Sequence, residues 1–159
     1  MNPSYVCEDH WAEGETIVSD NTVNGILKEI DVKQLPYRKV IIFNSCPFKT
    51  SKSTDLTKDI LNHKNVLRNY ETIIDYIFAL EENFDLLVFT GDAALIDKST
   101  LTYMFYIKTM NAFENHKLRK QIIVPDINNS SLSRHPGTLK SNKIFNVNKQ
   151  WSIKTKRFI

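Results

Sequence analysis

Three stretches of the chain place apolar residues at the three- and four-residue spacing of one helix face. The first stretch follows Ser19-Asp20, whose side chains suit a helix N-cap. The stripes are Val23, Ile26, Leu27 and Ile30; then Val66, Tyr70, Ile73, Ile74 and Ile77, running on to Glu81; then Leu101, Met104, Phe105, Ile107 and Met110, extended by Phe113. The spacing therefore predicts three amphipathic helices.

Short continuous runs of apolar residues lie between these stripes. They are Val40–Phe43, Phe84–Phe89 and Gln121–Val124, and Lys143–Val147 is a fourth, shorter candidate. Continuous β-branched runs are typical of strands that are buried on both faces. The alternation of strands and helices predicts an α/β fold whose parallel strands are joined by right-handed crossovers. In such a sheet, ligands bind beyond the carboxyl ends of the strands.

Length and composition are those of one ordinary globular domain. The chain has 159 residues, of which 42% are hydrophobic and 25% charged, with four glycines and five prolines. A domain of this size buries a substantial core. The formal net charge of +3 is compatible with a polyanionic partner but is too small to identify one.

Cysteine and histidine residues are few and widely separated. Cys7 and Cys46 form no CxxC pair, and none of the four histidines lies in a metal-ligand spacing. The sequence predicts neither a metal nor another cofactor. The polar N-terminus resembles no signal peptide, and no apolar run has the length of a membrane span. We therefore expect a cytoplasmic protein that does not contact membranes.

Polar residues follow two of the predicted strands at the edge where a ligand is expected. Asn44 either satisfies backbone groups at the strand end or pairs with the polar edge of a base. Thr90 and Gly91 begin a loop in which we expect Asp92 to cap the next helix. Phe48 is either a stacking platform or a cover over the core.

The segments that remain lie near the two ends of the chain. In Arg134-His135-Pro136, Arg134 could hold a phosphate and His135 could stabilise negative charge, while an ordinary exposed loop is the alternative. Asn2-Pro3-Ser4 is either a turn or an amide that positions water. Residues 149–159 are basic with interleaved aromatic residues, which favours a solvated tail over a nucleic-acid contact.

In their order along the chain, four of these segments resemble a known family. Asn2-Pro3-Ser4, Asp20-x-Thr22, the predicted strand ending in Asn44, and Arg134-His135-Pro136 resemble the uncharacterised bacterial and phage domain-of-unknown-function family 1643. The family also has a strand ending in Trp-Gly, where this chain has Thr90-Gly91. The match spans about residues 1 to 147, and its specificity comes from the joint order of short motifs.

That family is similar in layout to the uracil-DNA glycosylase superfamily. The resemblance implies a three-layer α/β/α sandwich with a short, mainly parallel sheet over residues 1–148, followed by the basic tail 149–159. It implies catalytic roles for two residues: Asn2 orients the hydrolytic water and His135 stabilises the departing base. It implies substrate contacts by Ser4, Asn44, Phe48, Thr90, Gly91 and Arg134, with Asn44 reading the base edge.

One feature of the resemblance concerns the first strand. In the family a buried central strand precedes Asn-Pro-Ser, whereas here Met1 directly precedes Asn2. A sheet that lacks this strand exposes unpaired backbone groups, which predicts either an unstable fold or association through the gap.

The sequence therefore predicts a glycosylase-like domain that binds a nucleobase, a nucleotide or DNA. If the domain is catalytic, it hydrolyses an N-glycosidic bond. Two alternatives stay open at this point. One is a non-catalytic module that keeps the pocket without the chemistry. The other is an interaction protein of phage or mobile-element origin that uses the basic tail and the sheet edge. The enzyme interpretation requires that Asn2, Asn44 and His135 converge in one pocket.

Overall fold

The structure, a computed structural model, describes residues 21–37, 39–48, 55–91, 94–124, 127–129, 132–133 and 148–159. Four of the predicted site residues lie outside these ranges, namely Asn2, Ser4, Arg134 and His135. The strand predicted at Lys143–Val147 also lies outside them.

Within the described residues, four helices and seven short strands follow one another along the chain. The helices are α1 (Asn21–Val32), α2 (Lys58–Leu61), α3 (Lys64–Phe78) and α4 (Leu101–Asn115). The strands are β1 (Phe84–Leu87), β2 (Arg119–Ile123), β3 (Ile127–Asn129), β4 (Leu132–Ser133), β5 (Asn148–Lys149), β6 (Trp151–Ser152) and β7 (Arg157–Phe158). The three predicted helices are confirmed as α1, α3 and α4.

Local hydrogen bonds fix where the two long helices begin. The Nδ1 atom of His63 accepts a hydrogen bond from the backbone N–H of Asn65 at 3.2 Å and so caps α3. The Oγ1 atom of Thr100 accepts from the backbone N–H of Tyr103 at 3.3 Å and caps α4. The expectation that Asp92 caps this helix is wrong, because α4 begins only at Leu101.

The central sheet has the order β1-β2-β5, with β1 parallel to β2 and β5 antiparallel to β2. Helix α4 provides the crossover between the two parallel strands, as the alternating pattern predicted. Both predicted runs become strands, although β1 ends at Leu87 and β2 begins at Arg119. The described residues thus form a mixed α/β fold with a short parallel pair.

The strand predicted at Val40–Phe43 is wrong. This segment pairs with no strand in the described part of the chain, and its four residues are 36–43% exposed. A continuous apolar run becomes a buried strand only where a neighbouring strand pairs with it and other layers cover both faces. Within the described part of the chain, β1 pairs with β2 alone, so these residues gain neither partner nor cover.

The core lies between the sheet and the two long helices. Phe84 and Leu86 of β1 pack against a cluster formed by Ile73 and Ile77 of α3 and Phe113 of α4. A larger cluster joins the end of the sheet to the rest of the fold, and its members include Val88, Leu95, Tyr106, Met110, Ile122, Leu132, Trp151 and Phe158. Residues from the C-terminal strands therefore belong to the same core as the helices.

The segment predicted as a solvated tail, residues 149–159, is folded instead. Trp151 and Phe158 pair across the β6–β7 hairpin, and their side chains are only 2% and 5% exposed. The indole Nε1–H of Trp151 also donates a hydrogen bond to Asn111 Oδ1 of α4 at 2.8 Å. The prediction is wrong for these two aromatic residues. The free energy gained by burying their large apolar side chains holds the segment on the core, although the basic residues between them favour solvent.

The segment after α1 is tied to the sheet by a small polar cluster. The Tyr37 hydroxyl donates to Asp85 Oδ2 at 2.5 Å, and Gln121 Nε2 donates to the same oxygen at 3.0 Å. Asp85 and Gln121 are partners in the register of β1 and β2. The other carboxylate oxygen, Asp85 Oδ1, is buried with no hydrogen-bond partner. Loss of the tyrosine donor therefore leaves this carboxylate poorly satisfied.

We predict that Tyr37 makes the stability of the fold sensitive to alkaline pH. Burial and the hydrogen bond to Asp85 raise the pKa of Tyr37 from 10.0 to about 12. Between these pH values the unfolded chain releases the phenol proton while the folded chain retains it, so the free energy of unfolding falls as pH rises. Below pH 10 this contribution is fully present.

The measurement is denaturant unfolding of the wild type and of Tyr37→Phe across this pH range. The variant should lose about 1 kcal/mol at neutral pH, the typical worth of one hydrogen bond. Its stability should then fall less steeply than that of the wild type above pH 10. Parallel pH profiles for the two proteins would contradict the assignment.

Candidate functional site

The carboxyl end of β1 is where the sequence predicted a ligand, and two of the predicted residues lie there. Thr90 and Gly91 lie three and four residues beyond Leu87, the last residue of β1, and Gly91 is buried with φ at 60°. Glycine adopts this left-handed conformation without the steric penalty of a Cβ atom.

Thr90 is held by a set of hydrogen bonds to Ser133, the last residue of β4. The backbone N–H of Thr90 donates to Ser133 Oγ at 3.1 Å, and the backbone N–H of Ser133 donates to Thr90 Oγ1 at 3.0 Å. Thr90 Oγ1 in turn donates to the Ser133 carbonyl at 3.2 Å. Ser133 Oγ donates to the carbonyl of Val88. We call this set of contacts the Thr90–Ser133 clamp.

The clamp fixes the path of a second segment to the end of the strand. Ser133 is completely buried, so its polar atoms must be satisfied within the protein. Its partners are the backbone of Val88 and both the backbone and hydroxyl of Thr90. The chain continues from Ser133 into Arg134. The proton of the Thr90 hydroxyl is engaged in the clamp, which leaves its second lone pair for any further contact.

Asn44 is half-buried and is fixed through its backbone. Its carbonyl oxygen accepts a hydrogen bond from Asn69 Nδ2 of α3 at 2.8 Å. The ring of the preceding residue, Phe43, contacts the ring of Tyr76 edge-on at 5.3 Å between centroids. The side-chain amide of Asn44 makes no hydrogen bond within the described part of the chain. A held backbone with an uncommitted amide is suited to recognition of a polar ligand.

Phe48 covers the core, as the alternative interpretation of this residue predicted. Its side chain is half-buried against the larger core cluster and contacts the ring of His63 edge-on at 5.2 Å. Cys46, two residues earlier, belongs to the same cluster, and burial raises the pKa of its thiol. This loop is therefore anchored through its apolar side chains.

Two kinds of site are absent from the described residues. No group of three or more His, Cys, Asp or Glu side chains in these ranges could hold a metal ion. Nor does any helix among them have the length and apolar character needed to cross a membrane. The two ion pairs recorded there, Lys58–Asp97 at 3.7 Å and Arg119–Glu114 at 3.3 Å, connect neighbouring parts of the scaffold.

The structure brings together only part of the predicted site. Thr90 and Gly91 share the end of β1, and the clamp brings to it the residue that precedes Arg134. The convergence of Asn2, Asn44 and His135 stays a prediction, because Asn2 and His135 lie outside the described residues.

Sequence reasoning missed Ser133 and Asn69, the residues that hold Thr90 and Asn44. Each is a polar residue in a polar stretch or on a helix, and neither has a motif around it. Their partners lie 43 and 25 residues away, respectively, so no local spacing could have revealed them.

We predict that Ser133→Ala destabilises the fold by about 1–3 kcal/mol, the cost of leaving buried polar groups without partners. The substitution removes the acceptor of the Thr90 N–H and the donor to the Val88 carbonyl. The measurement is the free energy of unfolding in urea. Ser99→Ala is the matched control, because the exposed Ser99 hydroxyl bonds only within its own turn, to Asp97. Equal effects of the two substitutions would contradict the clamp.

Comparisons with known proteins found no match for this chain among protein-family models, curated proteins or solved structures. The resemblance to the domain-of-unknown-function family 1643 therefore stays a prediction from short motifs.

Proposed function

We propose that the protein binds a nucleobase-containing ligand at the carboxyl end of β1, within a glycosylase-like three-layer α/β/α fold. The observation that carries this proposal is the Thr90–Ser133 clamp. It joins the loop after β1 to the residue immediately before Arg134 and His135. Ligands of open α/β sheets bind at this edge, where loops from separate parts of the chain meet.

Two further residues of the proposed site come directly after the clamp in the sequence. Arg134 follows Ser133, and His135 follows Arg134. In the proposal, the Arg134 guanidinium binds a phosphate through paired N–H donors. The His135 imidazole stabilises negative charge on the base or its leaving group.

Asn44 is the residue proposed to recognise the base. An amide both donates and accepts, so it can pair with a base edge that presents one group of each kind. The contact between the Asn44 carbonyl and Asn69 supports this role, since it holds the backbone while the amide stays uncommitted. The apolar anchoring of Cys46 and Phe48 supports it as well, because a fixed loop loses little entropy on binding.

The catalytic form of the proposal is hydrolysis of an N-glycosidic bond. The bond between the sugar and the base nitrogen breaks, and the electron pair leaves with the base. A water held by Asn2 adds to the sugar carbon and releases a proton to solvent, and the departed base anion takes up a proton from solvent. His135 stabilises the departing base anion, which is the main charge that develops. This reaction needs no cofactor.

We predict that the protein releases free base from DNA that contains uracil or a damaged base. His135→Ala should reduce the rate by roughly 100-fold or more, the usual cost of losing a group that stabilises developing charge. Asn2→Ala should also reduce release, because water is no longer placed. Chromatography of the released base measures both effects. Asn115→Ala, at an exposed position at the end of α4, is the control and should leave the rate unchanged.

The binding measurement separates the catalytic form from its alternative. If the protein binds base-containing DNA through Asn44 and His135 but releases no base, it is a non-catalytic module. If Asn44→Ala and His135→Ala change neither binding nor release, the strand-end site is wrong. Thermal unfolding of each variant shows whether the fold survives the substitution.

We also propose that copies of the chain associate beside β1. Within the described residues, β1 has a strand partner on one side only, and the unpaired segment Val40–Phe43 exposes four apolar side chains. Tyr37 and Asn44 anchor the two ends of this segment to Asp85 and Asn69. An exposed segment rich in β-branched apolar residues beside a strand with a free edge favours pairing with a strand of another copy.

We predict that Ile42→Lys makes the protein monomeric, because a charge on an exposed apolar strand opposes edge-to-edge pairing. Light scattering coupled to size-exclusion chromatography measures the mass. Leu27→Lys is the matched control, since Leu27 on α1 is similarly exposed and should not affect association. A wild-type protein that is monomeric at every concentration would contradict the proposal.

A further inference from the structure

Charge is distributed very unevenly along the chain. Residues 127–159 contain seven Lys and Arg and no Asp or Glu, whereas residues 1–126 contain fourteen basic and eighteen acidic residues. The net charge of +3 is therefore the sum of +7 in residues 127–159 and −4 in residues 1–126. Such an asymmetry is typical of a chain with a local site for a polyanion.

The end of this basic part is a hairpin with a defined geometry. Strands β6 and β7 pair Trp151 with Phe158 and Ser152 with Arg157. The loop between them is closed by the backbone N–H of Lys156, which donates to the Ser152 carbonyl at 2.7 Å, and Lys156 has φ at 53°. The hairpin is therefore a fixed element.

The body of the protein holds this hairpin by its aromatic residues. Trp151 contacts Phe158 edge-on at 5.1 Å and Tyr106 of α4 at 6.2 Å between ring centroids. The indole hydrogen bond to Asn111 completes the anchor. Trp151 and Phe158 are buried in the core, and the hairpin presents its charged residues to solvent together with Ile153, which is 41% exposed.

Three cations lie on the exposed turn of the hairpin. Lys154, Lys156 and Arg157 are all exposed, and none forms an ion pair with any residue in the described ranges. The Cα atoms of four consecutive residues span at most about 11 Å, which is comparable to the Debye length of about 8 Å at physiological salt. The three charges repel one another, and an anion with closely spaced charges relieves that repulsion.

We propose that the β6–β7 hairpin is a binding surface for the phosphate backbone of a nucleic acid. The regular phosphates of a polynucleotide match a short row of fixed cations, and each contact releases condensed counterions. An anionic membrane fits less well, because the aromatic residues that would enter the lipid interface are buried in the core. This surface is separate from the strand-end site and does not depend on hydrolysis there.

The test is binding of the full chain to a fluorescent DNA oligonucleotide, single-stranded and duplex, measured by anisotropy over a series of salt concentrations. The variant combines Lys154→Gln, Lys156→Gln and Arg157→Gln. Each lost phosphate contact lowers the salt slope by roughly 0.7 for single strands or 0.9 for duplex DNA. We expect the slope to fall by about 2 to 3 and affinity at low salt to fall at least tenfold.

The control removes the same number of charges from dispersed positions. Lys28→Gln, Lys64→Gln and Lys98→Gln change exposed residues on α1, on α3 and in the turn before α4. This control should keep the wild-type salt slope. An equal loss in both triple variants overturns the proposal, because net charge rather than the hairpin then drives binding. Hairpin-dependent binding to phosphatidylserine vesicles without binding to DNA also overturns it.

A loss of base release in the hairpin variant is not needed for this proposal. If the hairpin variant loses DNA affinity while the wild type releases no base, the hairpin proposal stands and the catalytic proposal fails. If the variant keeps its DNA affinity while the wild type does release base, the hairpin proposal fails alone. Circular dichroism confirms that the β6–β7 aromatic anchor survives in the variant.

Discussion

The parallel pairing of β1 with β2 is the constraint on which the described fold depends. Two parallel strands cannot be joined by a tight turn, so the chain must cross from the end of one to the start of the other. Helix α4 makes that crossing, and its buried face packs with α3 against Phe84 and Leu86 of β1. The same arrangement leaves the carboxyl ends of both strands at one edge.

Polar groups buried at that edge decide how the loops are held. A buried N–H or carbonyl without a partner costs more than one hydrogen bond contributes, so each must find a partner nearby. Ser133 supplies partners for Val88 and Thr90 at once, and this brings the β3–β4 segment to the end of β1. A structural requirement thereby fixes Ser133, the residue that precedes Arg134 in the sequence.

Aromatic burial plays the corresponding role for the C-terminal hairpin. Trp151 and Phe158 attach the hairpin to α4, and the cations between them stay in solvent because no acidic residue of the described chain pairs with them. Buried aromatic residues and exposed cations thus lie within a few positions of one another. In both proposed sites, residues that are fixed in the core adjoin the residues that are proposed to contact a ligand.

The sequence by itself determined the elements whose causes are local. Helical spacing predicted α1, α3 and α4, and the apolar runs predicted β1 and β2 with their parallel relation. Among the site residues, it predicted that Thr90 and Gly91 lie just beyond a strand, which they do. These features depend on residues a few positions apart, or on connection rules that hold for any chain.

Only the tertiary structure decided what depends on distant partners. Val40–Phe43 has the composition of a buried strand, yet it stays exposed because no described strand pairs with it. Trp151 lies in a segment whose sequence predicts a solvated tail, yet it is buried because residues of α4 contact its side chain. Ser133 gains its role from Thr90, 43 residues away. Pairing and burial are properties of two surfaces, and the sequence of one does not specify the other.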